Sequence, residues 1–139
     1  MTTPASTDQF ITIIDRIEQF MQKLGENISM PEHEVKTPQA LIIVRMEEGR
    51  EYNVGYIEAS LYFGTNVSYN INKLHDMGYL SIRKSADDKR MVYVSLSPRG
   101  VSLKKKLLLK ISDCINLSVD EANGVSRTLR HVVSHMAAL

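Results

Sequence analysis

The segment from Thr65 to Met77 carries side chains that suit the reading of DNA bases. Its apolar residues recur with helical spacing: Val67, Ile71, Leu74 and Met77. This spacing predicts a helix with one narrow buried stripe. Asparagine is a poor helix former, yet the segment holds three of them, Asn66, Asn70 and Asn72. Because asparagine can bond adenine at two positions in the major groove, the pattern favours a helix that contacts DNA.

The outward face of this helix divides into two kinds of expected DNA contact. The residues expected to approach base edges are Asn66, Tyr69 and Asn72. Those expected mainly to hold phosphates are Thr65, Ser68 and Lys73. Asn70 falls at the edge of the buried stripe and is expected nearer the protein than the groove. Taken alone, the same pattern also fits an ordinary amphipathic surface helix.

The distribution of charge supports a polyanionic partner. Residues 1–64 contain five Lys or Arg against ten Asp or Glu, whereas residues 65–99 contain six against three. Residues 100–139 again contain six against three, so the net charge of +1 conceals a gradient. The basic excess begins with the asparagine-bearing helix, although a solvated basic face would have a similar composition.

Two other groups of side chains have chemical potential. His131 and His135 lie four residues apart, a spacing that can hold zinc, but no Cys, Asp or Glu lies close by in sequence. We therefore expect a surface or interface pair and no metal site. The single cysteine, Cys114, excludes an internal disulfide framework. Its position between Ile111 and Ile115 predicts a buried, inert thiol rather than a redox switch.

Length and composition fit one globular domain with a helical extension. The chain has 139 residues, of which 43% are hydrophobic and 24% charged. No apolar run is long enough to cross a bilayer and no signal peptide opens the chain, so a cytoplasmic protein without membrane association is expected. No nucleophile-base pair, phosphate loop or metal cluster is evident. We therefore expect neither an enzyme nor a cofactor.

The elements before the polar helix begin with a predicted long amphipathic helix. Ser6 and Gln9 fit a capping box, and Gly25 is expected to end this helix. Residues 26–36 contain Pro31 and no clear period, and are interpreted as a linker or a short irregular segment. Thr37 and Pro38 fit an N-cap followed by proline at the first helical position. The inward residues of this second helix are Ala40, Leu41, Ile43 and Val44.

A helix-turn-helix is predicted next. Residues 51–53 fit a very short strand, and Asn53 fits the cap of a helix running roughly to Tyr62, with Ile57 and Leu61 inward. Gly64 then turns the chain into the polar helix. Two short helices joined by a tight turn, the second with polar outward residues, are typical of a helix-turn-helix.

A basic hairpin follows the polar helix. Residues 79–83 and 91–96 alternate like strands and flank a polar loop. The charged residues of the hairpin are Arg83, Lys84, Asp88, Lys89 and Arg90. They suit phosphate contacts, and the alternative is a set of solvated turn charges. Ser97-Pro98 starts a further helix, and the capping box of Ser118 and Glu121 starts the last one.

This order of elements resembles the MarR family of bacterial winged helix-turn-helix transcription regulators. The matching motifs are Thr37–Leu41, Thr65–Leu74, Gly78–Leu80, Asp88–Arg90 and Val94–Gly100. The resemblance covers roughly residues 37–100. It implies that Asp88 pairs with Arg90 to shape the wing and that Arg90 reaches the minor groove or its flanking phosphates. Glu58 departs from the family, which usually has a small residue there.

We therefore predict a mainly α protein with a small β-hairpin wing. Residues 37–99 form the DNA-binding lobe, whereas residues 1–36 and 100–139 supply dimerisation helices. The lobe is small and the terminal apolar faces are long, so these faces are expected to be buried against a second subunit. The residues assigned to dimerisation are Phe10, Ile14, Ile17, Leu108, Ile111, Leu129 and Val133.

The predicted function is sequence-specific binding of a pseudo-palindromic, double-stranded operator by a homodimer. Repression is favoured over activation because occupancy alone blocks a promoter. The resemblance makes a small-molecule effector plausible, with Tyr52, Tyr56 or the first helix lining its pocket. The alternative is a winged-helix module that binds protein without sequence-specific DNA binding.

Overall fold

Helices surround a small antiparallel sheet in the computed structural model, which describes residues 2–60 and 66–137. The helices within these ranges are α1 (Thr7–Ile28), α2 (Thr37–Arg45), α3 (Val54–Ser60), α4 (Val67–Asp76), α5 (Pro98–Cys114) and α6 (Val119–Ser134), with a short 3-10 helix at Pro31–His33. The strands are β1 (Tyr52–Asn53), β2 (Leu80–Lys84) and β3 (Val92–Leu96). The predicted class, mainly α with a small β wing, is confirmed.

The sheet joins the wing to the start of the helix-turn-helix. Strand β3 lies between β1 and β2 and is antiparallel to both. Tyr52 pairs with Val94, and Leu80 pairs with Leu96. The predicted hairpin is therefore extended by the very short strand predicted at residues 51–53. This pairing anchors the base of the wing beside α3.

A single apolar core fills the space between α2, α4, α5 and the sheet. Its buried residues include Ile43, Leu74, Val94 and Leu107. The predicted stripe on α4 is confirmed, since Val67, Ile71 and Leu74 are buried and Met77 is partly buried. Residues before 37 and after 99 also enter this core, so packing crosses both predicted domain boundaries.

Helix α1 does not end at Gly25, as the sequence predicted, but continues to Ile28, which is buried. Glycine costs only about 1 kcal/mol in a helix interior, so tertiary packing overrides it. The reason for glycine lies in a close approach. A Cβ at Gly25 would lie 3.2 Å from Thr37 Oγ1, and the Thr37 hydroxyl donates to the Gly25 carbonyl at 3.2 Å.

Of the two interpretations of residues 26–36, the short irregular segment agrees with the structure beyond the end of α1 at Ile28, and the linker does not. Met30 and Val35 form an isolated antiparallel bridge with backbone hydrogen bonds of 3.0 and 3.1 Å. Both side chains are buried in the core. The turn between them contains Pro31 and a left-handed Glu34 with φ of 59°. Because the segment is short and turns back on itself, its apolar residues show no period in the sequence.

Helix α2 begins one residue earlier than predicted, at Thr37 instead of Pro38. Lys36 occupies the N-cap, Thr37 is helical, and the last helical residue is Arg45. Lys104 Nζ donates to the Met46 carbonyl beyond the helix end. Ile42 and Gln39 are buried although the sequence analysis did not place them inward, whereas Leu41 and Val44 are only partly buried.

The remaining predicted caps are confirmed. Ser6 and Gln9 form a capping box, as do Ser118 and Glu121. Ser97 Oγ accepts from the Gly100 amide at 3.0 Å, and Asn53 Oδ1 accepts from the Gly55 amide at 2.8 Å. The positions predicted for Leu61, Tyr62 and Gly64 lie outside the described residues. Within the described ranges, no helix has the length and apolar character needed to span a membrane.

Candidate nucleic-acid interface

The N-terminus of α4 is capped by the side chain of Asn66. The helix begins at Val67 rather than Thr65, and Asn66 is its N-cap. Asn66 Oδ1 accepts from the Tyr69 backbone amide at 3.0 Å, which commits this oxygen to the helix. The contact that sequence reasoning assigned to Asn66 therefore falls to its amide nitrogen. Thr65 lies outside the described residues.

The outward face of α4 presents most of the predicted DNA contacts to solvent. Ser68, Asn72 and Lys73 are exposed, and the side chain of Tyr69 is 55% exposed. Asn70 is instead buried, in agreement with its expected position nearer the protein. Ser68 and Asn72 lie four residues apart along the helix, as do Tyr69 and Lys73, so the two neighbouring rows form one continuous surface. This surface stands opposite the buried stripe.

A carboxylate from α3 lies against this polar surface. Ser68 Oγ donates a hydrogen bond to Glu58 Oε1. Glu58 had been noted only as a departure from the family pattern, and its pairing with Ser68 was not foreseen. The two residues are ten positions apart, so no local periodicity links them. The contact places a negative charge where phosphates would approach Ser68.

The wing and α4 face a common groove. A cavity of about 420 Å³ lies between α3, α4 and the hairpin, and Asn72 and Arg90 both line it. Glu58 and Ser68 line the same space. A predicted base-reading residue and a predicted minor-groove residue therefore border a single concave surface.

The tip of the wing has the geometry that the family resemblance implied. The Arg90 backbone amide donates to Asp88 Oδ1 at 3.0 Å, and Arg90 Nε lies 3.3 Å from the same oxygen. The Arg90 side chain is nonetheless 92% exposed. Lys84 and Lys89 are also exposed. Asp88 thus shapes the turn while the cationic groups remain accessible.

Arg83, a predicted DNA contact, also has partners within the protein. Its guanidinium forms two hydrogen bonds with the Glu51 carboxylate, at 2.8 and 3.2 Å. It also lies over the Tyr93 ring, 4.8 Å from the centroid. The hydrogen bond from Arg83 lowers the pKa of Glu51. Since β3 lies between β1 and β2, the Arg83 side chain reaches over Tyr93 of β3 to Glu51 and braces the base of the wing. The side chain is still 55% exposed, so its contact with DNA stays a prediction.

The terminal helices expose the faces assigned to dimerisation. Phe10 and Ile14 on α1 are 54% and 56% exposed. Four further predicted dimerisation residues are exposed: Ile17, Leu108, Leu129 and Val133. Ile111 is partly buried and packs against the core of its own protomer, so less of it is open to a partner than of the other six. No residue of α6 is buried among the residues described.

The cysteine and the histidine pair are both at the surface. The buried thiol predicted for Cys114 is wrong: the residue is exposed, because it ends α5 beyond the reach of the core. The rings of His131 and His135 lie 4.1 Å apart, and His135 Nδ1 is 2.9 Å from the His131 carbonyl. Among residues 2–60 and 66–137, no cluster of three or more His, Cys, Asp or Glu is arranged to hold a metal.

A second, smaller cavity of about 150 Å³ lies between α2 and α3, and both predicted tyrosines line it. The Tyr52 hydroxyl accepts from the Glu47 amide at 2.9 Å. The Arg50 guanidinium lies over the Tyr52 ring, 4.7 Å from the centroid. Tyr56 is exposed at the rim, and Arg45 also lines the cavity. The cavity thus combines aromatic walls with two cations.

Comparison with known proteins agrees with this geometry. Residues 35–100 match the family model described as a winged helix DNA-binding domain. The transcriptional regulator SarZ of Staphylococcus haemolyticus is 19% identical over 110 residues, which cover 76% of this chain and 75% of SarZ.

Solved structures extend the similarity to nearly the whole chain. A protein described as a MarR-like transcription regulator, from Bacillus cereus, has a TM-score of 0.74 at 18% identity and covers 94% of this chain and 96% of its own. BpsR of Bordetella bronchiseptica, whose DNA binding is regulated by 6-hydroxynicotinic acid, has a TM-score of 0.72 at 17% identity, covering 90% and 98%. MarR of E. coli in complex with operator DNA has a TM-score of 0.64 at 16% identity, covering 92% and 99%.

The matched model is that of a DNA-binding domain, and these relatives are transcription regulators. This supports the DNA-binding prediction over the alternative of a protein-interaction module. It also agrees with the expectation that the chain is not an enzyme. The resemblance predicted from the sequence is confirmed: residues 35–100 match a winged helix DNA-binding domain, and the chain shares its fold with regulators of the MarR family.

Proposed function

We propose that the chain acts as a homodimeric repressor that binds a pseudo-palindromic operator in the cytoplasm. Helix α4 enters the major groove, and the wing lies at the adjacent minor groove. The observation that carries this proposal is the common groove bordered by Asn72 on α4 and Arg90 on the wing. Repression follows from occupancy, since a dimer seated on a promoter blocks access to it.

The roles of the individual side chains follow from their exposure and chemistry. Asn72 and Tyr69 read base edges, with the amide nitrogen of Asn66 as a third contact. The phosphates are held by Lys73, Lys84, Lys89 and Arg90. Thr65 is proposed as a phosphate contact from its place in the sequence, and Ser68 would join only by giving up its hydrogen bond to Glu58. Arg90 additionally suits a narrow minor groove, where the negative potential attracts arginine. Asp88 supports this contact by holding the Arg90 backbone.

The dimer is supported by the uncovered apolar faces of α1 and α6. Side chains such as Phe10, Ile14 and Val133 are more than half exposed in the protomer, and exposed apolar faces of this extent indicate an interaction surface. A twofold pair joined through these helices would present its two α4 helices to successive major grooves, about 34 Å apart.

A small effector is proposed at the cavity lined by Tyr52 and Tyr56. Arg45 and Arg50 line it together with the Glu47 carboxylate, which is 3.6 Å from Arg50, so the charged lining is net positive by one and suits a compact organic anion. A volume of about 150 Å³ restricts the ligand to a small molecule. Because the cavity borders α3, a bound ligand would shift this helix, which precedes α4 in the chain. BpsR, with the same fold, responds to a small aromatic acid.

Electrophoretic mobility tests the proposed function directly. The duplex from upstream of the protein's own coding sequence is titrated with the chain in excess random competitor. We expect a retarded band that persists in excess random duplex. Its mobility should correspond to one dimer bound to each duplex. A band that disappears with the first equivalents of random duplex would contradict sequence-specific binding. Compact aromatic carboxylates are then titrated into the complex to test whether they release the DNA. The Arg45→Ala variant is expected to remain bound to the DNA.

A further inference from the structure

We infer that Gln39 and Asn70 are positioning residues that fix the recognition helix α4 relative to α1, and that discrimination between operator and random DNA depends on them. The inference rests on the proposed function, in which α4 reads bases. Neither residue is assigned a DNA contact. Their effect on binding acts through the residues that α4 presents.

The two residues form a polar contact within an apolar core. Among the described residues, the buried polar side chains are Gln39, 2% exposed, and Asn70, 7% exposed. Gln39 Nε2 donates to Asn70 Oδ1 at 3.2 Å. A buried amide without a partner destabilises a protein, whereas replacing both partners by apolar groups of similar shape can be nearly neutral. Stability alone therefore gives no reason for this pair.

The hydrogen bonds continue from the pair to the start of α4. Asn70 Nδ2 donates to the Asn66 carbonyl at 2.9 Å. Asn66 is the N-cap of α4, and its side chain accepts from the Tyr69 amide. Both ends of the Asn70 amide are thus used. The first turn of α4, which carries Ser68 and Tyr69, is fixed by the same bonds.

In the other direction the bonds reach α1. Gln39 Oε1 accepts from the Lys36 amide at 3.0 Å, at the N-terminus of α2. The next residue, Thr37, donates its hydroxyl to the Gly25 carbonyl at 3.2 Å. This approach depends on glycine, because a Cβ at Gly25 would lie 3.2 Å from Thr37 Oγ1. A continuous path therefore links α1, α2 and α4.

The chemistry of amides explains why this path orients the helix. Apolar side chains pack in several nearby arrangements, whereas a hydrogen bond weakens steeply when its angle departs from linearity. The Gln39–Asn70 pair thus restricts rotation and sliding of α4 against α2. Helix α1 belongs to the proposed dimer interface, so the same path relates the reading face of one protomer to that of the other.

The test uses near-isosteric apolar replacements. We would prepare Gln39→Met, Asn70→Leu and the double variant, and measure thermal unfolding together with Kd for the operator and for a random duplex. Each single variant leaves one buried amide without its partner, so it unfolds at a lower temperature than the double variant. The double variant is expected to lose about tenfold or more in the ratio of operator to random affinity, the scale of one lost base contact. Its random-duplex affinity stays within about twofold of the parent.

Two further variants separate positioning from general loss of stability. Ile71→Val weakens the core of α4 without touching the amides, so it should lower the unfolding temperature and leave the affinity ratio unchanged. Thr37→Val breaks only the outer end of the path at a partly exposed site. It should lower the ratio by about threefold, a fraction of one base contact, and it serves if the core variants fail to fold.

The outcomes distinguish this inference from the proposed function. A parent chain with no preference for operator over random duplex would overturn the proposed function itself. A parent chain with that preference, combined with a folded double variant of unchanged ratio, would overturn the positioning role alone. An unchanged ratio in Thr37→Val would overturn the link from α1 to α4.

Discussion

Helices α4 and α1 carry similar apolar stripes, but they meet different surroundings. On α4 the stripe is buried, with Val67 and Leu74 inside the core. On α1 the corresponding face is open, and Phe10 and Ile14 are more than half exposed. The period of the apolar residues indicates that a face will be covered. It does not indicate whether the same chain or another one covers it.

The core of the lobe is completed by α5 and by the end of α1, whereas the rest of α1 and all of α6 leave their apolar faces open. The lobe holds α4 and the wing in a fixed relation through the sheet and the buried residues of α2 and α5. The terminal helices place few side chains in this core, among them Ile28 at the end of α1. Changes on the open faces should therefore alter assembly, and changes on the lobe should alter DNA contacts.

The largest effect is expected from a charge on the open face of α1. Ile14→Glu buries a carboxylate in the proposed interface, so we expect a monomer in sedimentation at micromolar concentration. Operator affinity should fall by about 100-fold or more, because a monomer binds one half-site and loses the gain from linking two. Gln19→Glu, on the same helix but outside the apolar face, is the matched control. If the Ile14→Glu variant were still a dimer, α1 would not be part of the dimer interface.

The next effect concerns the reading face of α4. Asn72→Ala should weaken operator binding by ~1–3 kcal/mol, the magnitude of a bidentate base contact. Binding to a random duplex should change little, because phosphates supply that affinity. Asn123→Ala on α6 is the control for loss of an exposed helical asparagine. Equal losses on both duplexes would show that Asn72 does not read a base.

A smaller effect is expected at the wing. Arg90→Ala removes one accessible cation, so the slope of log Kd against log salt should decrease in magnitude by about one. Anisotropy titrations over a salt series measure this slope. Arg127→Ala on α6 removes an equal charge outside the proposed DNA surface and should leave the slope unchanged. An unaltered slope in Arg90→Ala would argue against a phosphate contact.

The smallest effect concerns the ion pair that braces the wing. The Arg83 hydrogen bond holds the pKa of Glu51 below its usual value of 4.5. A carboxyl with a lowered pKa stabilises the folded state above its unfolded pKa, and this contribution disappears as pH falls through the folded pKa. The parent should therefore be slightly more stable than Glu51→Gln at pH 7, and the two should converge in acid. A stability difference that persists at about pH 2, well below the usual pKa of a glutamate, would show that the ionised Glu51 is not its cause.

Features set by neighbouring residues were predictable from the sequence. The caps Ser6, Ser97 and Ser118 each act on the residue three positions further along the chain, so a short motif identifies them. The stripe of α4 and the hairpin depend on periods within one element. Family resemblance added the pairing of Asp88 with Arg90.

Features set by distant contacts were not predictable in this way. Arg83 was assigned to DNA because its partner, Glu51, lies 32 residues away and becomes its neighbour only through the sheet. Gly25 resembled a helix end, whereas its role is to admit Thr37. Asn66 was assigned to base reading alone, whereas the geometry uses its oxygen to cap the helix.

Selection of bound sequences from a random duplex pool tests the central claim most directly. A homodimer that reads bases with α4 should enrich two inverted half-sites whose centres lie about 10 base pairs apart. The same selection with Asn72→Ala should lose preference at one position of each half-site. A pool without enrichment, or one that enriches a single unrepeated half-site, would contradict a dimer that reads its operator through this helix.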